Sequence, residues 1–235
     1  MLAFSREALR QRVANSRPHE FNYLIFQRGN PKVARYTGPR LKVMRALGTE
    51  LPGLSRKSME NRSYPPGQHG QKNRRRSDYA VRLAEKQKLR FNYGLSEKQI
   101  RRLFREAKSS KAPTGDKLLE LLERRLDNFV FRAGFAPTAV AARQLVRHRH
   151  VLLNGRSVNI PSIRINPGDK ITLTERGAKI PASQQCLETP ALERPEWLSF
   201  DAASRTATAN RVPEANEVPF PVEVQHVVEY YAVRL

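Results

Sequence analysis

The chain has 235 residues, room for one large or two small domains. It carries 43 Lys and Arg against 22 Asp and Glu, a net charge of +21, which points to a polyanionic partner. No run of about 18 apolar residues is present, so no membrane span is available and no membrane partner is expected; the single cysteine, Cys186, excludes an internal disulfide and a multi-cysteine zinc site.

The charge is unevenly placed. Residues 34–112 hold 21 basic and 6 acidic side chains, residues 113–181 hold 12 and 6, and residues 182–235 hold 4 and 8. The polyanion is therefore expected against residues 34–181, with the acidic C-terminal part facing elsewhere. Residues 1–33 form an N-terminal extension, Arg-rich with scattered apolar positions. That pattern fits an amphipathic organelle presequence, against which Glu7 counts, and equally an additional N-terminal helix.

From Arg35 to His69, Gly38-Pro39, Pro52-Gly53 and Pro65-Pro66-Gly67 favour turns, with a short helix over "RLKVMRAL". A helix is predicted from Ser77, its N-cap, to a stop at Gly94, with Tyr79, Leu83, Leu89 and Tyr93 near one face. The next starts at Ser96, where Gln99 completes a capping box, and buries Ile100, Leu103, Phe104 and Ala107. Through "TGDKLLELLERRLDNFVFRAGF" the apolar period runs unbroken, predicting one long helix ended by Gly134. Thr138 caps a helix whose Ala141, Ala142, Leu145 and Val146 face inward, leaving Arg143 and Arg147 on one outer face. A hairpin turning at Asn154-Gly155 follows, the pair that a type I′ turn requires. Lys170 to Thr174 is a third strand. Residues 177–220 read as loops and short helices, and "PVEVQHVVEYYAVRL" as a closing strand. The fold class is thus α+β: a basic, largely helical domain (34–112), a small inserted module of helices on a short sheet (113–177), and a loop-rich C-terminal segment (178–235) returning to the first domain.

No Ser-His-Asp order, HExxH, P-loop or GxGxxG is present, so no catalytic residue is expected. His148 and His150 lie two apart with no carboxylate or cysteine near in sequence, so no metal site and no cofactor are expected. Within "RRLDN", Arg-Leu-Asp also occurs around the catalytic aspartate of pseudouridine synthases. Here Asp127 sits in an amphipathic helix, where an ion pair with Arg124 or Arg125 or a helix-terminus role is the simpler reading. The density of Lys72, Arg74, Arg75, Arg76, Lys86, Lys88 and Arg90 cannot be neutralised by the few carboxylates around it. A phosphate backbone relieves the repulsion and releases counterions. Tyr64 and Phe91 are candidates for stacking on bases, whereas Tyr79 and Tyr93 are spaced for a core. Recognition of A-form RNA by shape and phosphate position suits such a surface.

The segments "RYTGPRLKVMRALG", "YPPGQHGQ", "EKQKLRFNYGL", "LLERRLDNFVFRAGFAPTAVAARQLVRHRHVLLNGRSVNIPS" and "NPGDKI", in this order, resemble the small-subunit ribosomal protein four family. The resemblance covers roughly residues 34–177 and the "VVEYYAVR" end. It implies a structural, non-enzymatic constituent of the small ribosomal subunit. Such a protein grips the 5′ domain of the ribosomal RNA, acts in assembly, and sits near the channel through which mRNA enters. There it contacts small-subunit protein five and supports translational accuracy. The family's RNA-facing positions map onto Arg35, Tyr36, Arg40, the Tyr64, Pro66, Gly67, Gln68 and His69 loop, Arg82, Lys86, Arg143, Arg147, His148 and His150. Charge adds Lys42, Arg56, Lys57, Arg101, Arg105, Arg149 and Arg156. With no cysteine before Cys186, the zinc site of some members is not expected. "LPGLSRK" and "LRFNYGL" look like cyanobacterial and plastid forms, so an organelle ribosome, plastid or mitochondrial, is favoured over a bacterial one.

Overall fold

The computed structural model describes residues 36–72 and 75–234; Arg35, Arg74 and the N-terminal extension lie outside the described residues. The chain divides into two units, up to Pro39 and from Arg40. In the first, the Tyr36 hydroxyl donates to the Pro39 carbonyl at 3.4 Å. All that follows concerns the second.

Among the described residues six α-helices come first: α1 (Arg40–Leu47), α2 (Asp78–Asn92), α3 (Glu97–Lys108), α4 (Thr114–Glu123), α5 (Leu126–Arg132) and α6 (Ala139–Arg147). Strands β1 (Val151–Leu153), β2 (Arg156–Val158) and β3 (Lys170–Leu173) follow, then α7 (Glu175–Ala178), α8 (Pro181–Glu188), β4 (Leu198–Asp201), β5 (Thr206–Ala209) and α9 (Val224–Ala232). The strands form one antiparallel sheet in the order β2-β1-β3-β5-β4.

The caps stand where they were expected. The Ser77 hydroxyl accepts from Ala80 N, Ser96 and Gln99 form a complete capping box, and Thr138 accepts from Ala141 N. Asn154 and Gly155 both take positive φ, 50° and 81°, as the hairpin turn demands. The Asn154 side chain then holds the next turn, donating to Asp169 Oδ1 and accepting from Lys170 N, each at 2.8 Å.

Four expectations are corrected. Tyr79, spaced for a core, is 42% exposed at the start of α2. The long helix over 114–135 is two. Arg125 is extended (φ −70°, ψ 139°) and pairs antiparallel with Arg164, so the axis breaks although the apolar period does not. Residues 198–209 are not loop but the hairpin β4–β5, which joins the module's sheet through β3. The closing segment is helix α9, not a strand. It buries Val227, Tyr230 and Tyr231, spaced for one helical face, against the helical part, with Tyr231 4.9 Å from Phe104 ring to ring. Its valines and tyrosines favour a strand intrinsically, but packing decides.

The module's core gathers Leu126, Phe129 and Val130 of α5, Ala142 and Val146 of α6, Val151 and Ile171 of the sheet, and Trp197, Ala207 and Ala209 of the C-terminal segment. Phe129 meets Trp197 edge-on at 5.6 Å. Leu153 and Val158 pack on this core beside fully buried Val151.

Candidate nucleic-acid interface

The hairpin is reached through a sharp reversal. α6 ends at Arg147, His148 caps it, and Arg149 takes φ 61°, a left-handed value. Arg149 N donates to Val146 O and His150 N to Leu145 O, each at 3.0 Å, the paired bonds of a Schellman motif. Glycine usually fills the position that Arg149 occupies. Arg147, His148 and Arg149 are all exposed at this corner, and no carboxylate lies within ion-pair distance of the two arginines among the described residues. The His148 and His150 rings are 6.1 Å apart. His150 O accepts from Thr174 N at 2.9 Å, and a Cβ at Gly177 would stand 2.9 Å from His150 Cβ, so α7 lies directly against the corner. Arg176 and Lys179 are not among the expected RNA-facing positions, yet both are exposed, in and just after α7, and extend the same cationic edge. Their spacing from the hairpin was the signal available.

Elsewhere, Lys42, Arg56, Lys57, Lys72, Arg75, Arg76, Arg105 and Arg156 are exposed and form no ion pair among the described residues. Gly67, Gln68 and His69 are exposed, Tyr64 and Pro66 half-buried. The Tyr64 ring lies under Arg45 at 5.0 Å, and Arg45 Nε donates to Tyr64 O at 3.0 Å. Arg40 donates to Leu54 O at 3.4 Å. On α3, Arg102 and Lys108 join Arg105 as exposed cations.

Several candidates are engaged within the fold instead. Lys86 is buried, 2.9 Å from Glu97, whose other oxygen accepts from the Tyr231 hydroxyl at 3.0 Å. Burial pulls the Lys86 ammonium below the usual lysine value, and Glu97 opposes this. Burial also works against the ionised Glu97, but the Lys86 charge and hydrogen bonds outweigh it and hold Glu97 below the carboxylate norm. Lys88 is bonded to Glu85 at 2.7 Å, Arg82 to Glu229 at 2.8 Å, and Arg101 approaches Glu97 at 3.5 Å. Arg90 stacks over Phe91 at 5.2 Å, and Phe91 itself is buried, so it is not a stacking platform for a base. Arg143 does not share an outer face with Arg147. Its guanidinium meets Asp127 at 2.6 Å and donates to the Gly94 and Tyr93 carbonyls. Asp127 is ion-paired to Arg125 at 2.9 Å as well, the local pairing expected of "RRLDN".

Fold and surface define a class: a helical region and a small antiparallel sheet interleaved in one body, with cations lining helix ends, loops and a hairpin corner. Residues 35–123 match the family described as ribosomal protein S4/S9 N-terminal domain, and residues 124–171 the S4 domain. The chain is 64% identical over 205 residues to small ribosomal subunit protein uS4 of Methylobacillus flagellatus, covering 86% of this chain and 100% of that protein. It is 51% identical over 201 residues to uS4 of Picosynechococcus, 85% and 98% covered, and 49% identical over 201 residues to uS4c of Cyanophora paradoxa, 85% and 100% covered. The chain belongs to the small ribosomal subunit protein uS4 family, whose members are structural proteins of the ribosome and not enzymes.

Proposed function

We propose that the chain binds small-subunit ribosomal RNA in its 5′ domain, acts early in subunit assembly, and supports accurate decoding near the channel through which mRNA enters, beside small-subunit protein five. The observation that carries the RNA contact is the corner Arg147–His148–Arg149. Three exposed side chains are held there by a rigid helix-to-strand reversal, with an arginine kept in a backbone conformation that a glycine would adopt more easily. Backbone strain at an exposed side chain supports a contact role for it. Residues 34–112 and 113–177 would supply two contact surfaces on one RNA, and the exposed cations of α3 and α7 would widen them. Higher identity to the Methylobacillus relative than to the Cyanophora one runs against the organelle ribosome expected from "LPGLSRK" and "LRFNYGL" and supports a ribosome of bacterial type.

The test is sedimentation of the tagged full chain through a high-salt gradient, with sequencing of the RNA that copurifies. The chain is expected with small subunits and small-subunit rRNA. Release into the soluble fraction at modest salt, with other RNA bound, would identify a free RNA-binding factor instead.

A further inference from the structure

We propose that Asp127 and Arg143 form a positioning device that sets the helical region and the hairpin corner at the spacing one RNA requires, with Arg143 acting through the fold and not on phosphate. This rests on the rRNA-binding reading above. One buried carboxylate gathers five donors. Arg125 reaches it with Nε at 3.0 Å and Nη2 at 2.9 Å, Arg143 with Nε at 2.9 Å and Nη2 at 2.6 Å, and Asn128 N at 3.0 Å. Asp127 is itself fixed by its backbone, its N–H donating to Pro161 O at 3.1 Å in the loop after β2.

The rest of the Arg143 guanidinium crosses to the other region. Nη1 donates to Gly94 O at 2.5 Å and Nη2 to Tyr93 O at 3.1 Å. These carbonyls end α2, so Arg143 supplies the C-terminal cap of a helix about 50 residues upstream (|i−j| of 49 and 50). Gly94 has φ 59°, and a Cβ there would stand 3.5 Å from Arg143 Nη1, so the approach depends on this turn. α3, with Arg105, starts just beyond the turn, while Arg147 lies one helical turn beyond Arg143 on α6. The two cationic surfaces are thus tied through one planar fork, a geometry that a lysine cannot reproduce.

That last point separates positioning from contact. Binding of the full chain to a 5′-domain rRNA fragment is measured across a salt series, at a temperature where circular dichroism shows every variant folded. Arg143→Lys keeps the charge and loses the fork; it is expected to weaken binding about tenfold, as for a coupled network, with the salt slope unchanged. Asp127→Asn should do the same. Arg147→Lys should bind within about twofold of the parent, and Arg147→Gln should lower the slope by about 0.7–0.9, one phosphate. Parental affinity of Arg143→Lys would overturn the proposal. So would a slope loss in Arg143→Gln that Arg143→Lys restores, since that marks a phosphate contact. If Asp127→Asn does not fold, Arg143→Lys alone decides. Failure of the reading beneath it looks different: the parent chain would then bind the 5′-domain fragment no better than an unrelated RNA.

Discussion

Side chains with one chemistry take opposite roles according to what surrounds them. Lys86 and Arg143 look from the sequence like Arg75 and Arg147, yet the first two complete ion pairs within the fold, while the second two face solvent with no ion pair among the described residues. Glu123 is the sharpest case. It is fully buried, accepts from the Tyr93 hydroxyl and from Asn128 Nδ2, and lies 3.7 Å from Arg132 Nε. Burial pushes its carboxyl above the usual value of 4.5, against the pull of Arg132 and the two hydrogen bonds. A carboxyl raised on folding favours the native state while protonated, and that contribution is lost as pH climbs through the folded value. Glu123→Gln removes the dependence. Its melting temperature relative to the parent should therefore rise as pH goes from about 4 to 7, followed by circular dichroism. A constant difference would mean that folding leaves the proton affinity of Glu123 unchanged.

At the scale of the element, helix ends were more legible than helix bodies. Ser77, Ser96 with Gln99, Thr138 and Gly94 act through local hydrogen bonds and local φ, so their chemistry is written in a few adjacent residues. The break between α4 and α5 was not legible, because it comes from a bridge to Arg164, far along the chain. The reversal after α6 carries its own prediction. Arg149 pays the left-handed penalty of a residue with a Cβ, so Arg149→Gly should stabilise the free protein by about 1 kcal/mol, read from the urea midpoint. The same change should weaken rRNA binding, because one exposed cation is gone. Greater stability with unaltered affinity would remove Arg149 from the interface.

At the scale of the molecule, the C-terminal segment is what joins the parts. β4 and β5 extend the sheet, Trp197 enters its core, and α9 returns to cover the helical region, with Tyr231 on Phe104 and Arg82 on Glu229. A fragment ending at residue 177 loses Trp197 and Tyr231 together. Each large aromatic is worth about 3–5 kcal/mol, against a net stability of about 5–15 kcal/mol for a domain. The fragment should show no cooperative thermal transition; a sharp one near the parent's would mean that the segment is an appendage. The basic character, the caps, the hairpin turn and the family motifs belong to the sequence, because each depends on residue type or on neighbours within a few positions. Which arginines meet solvent, where the long helix breaks, and that the final segment is helix depended on contacts between residues far apart in the chain. Only the folded chain brings Asp127, Arg143 and the end of α2 together, and so only the tertiary structure decided that Arg143 holds the fold while Arg147 faces outward.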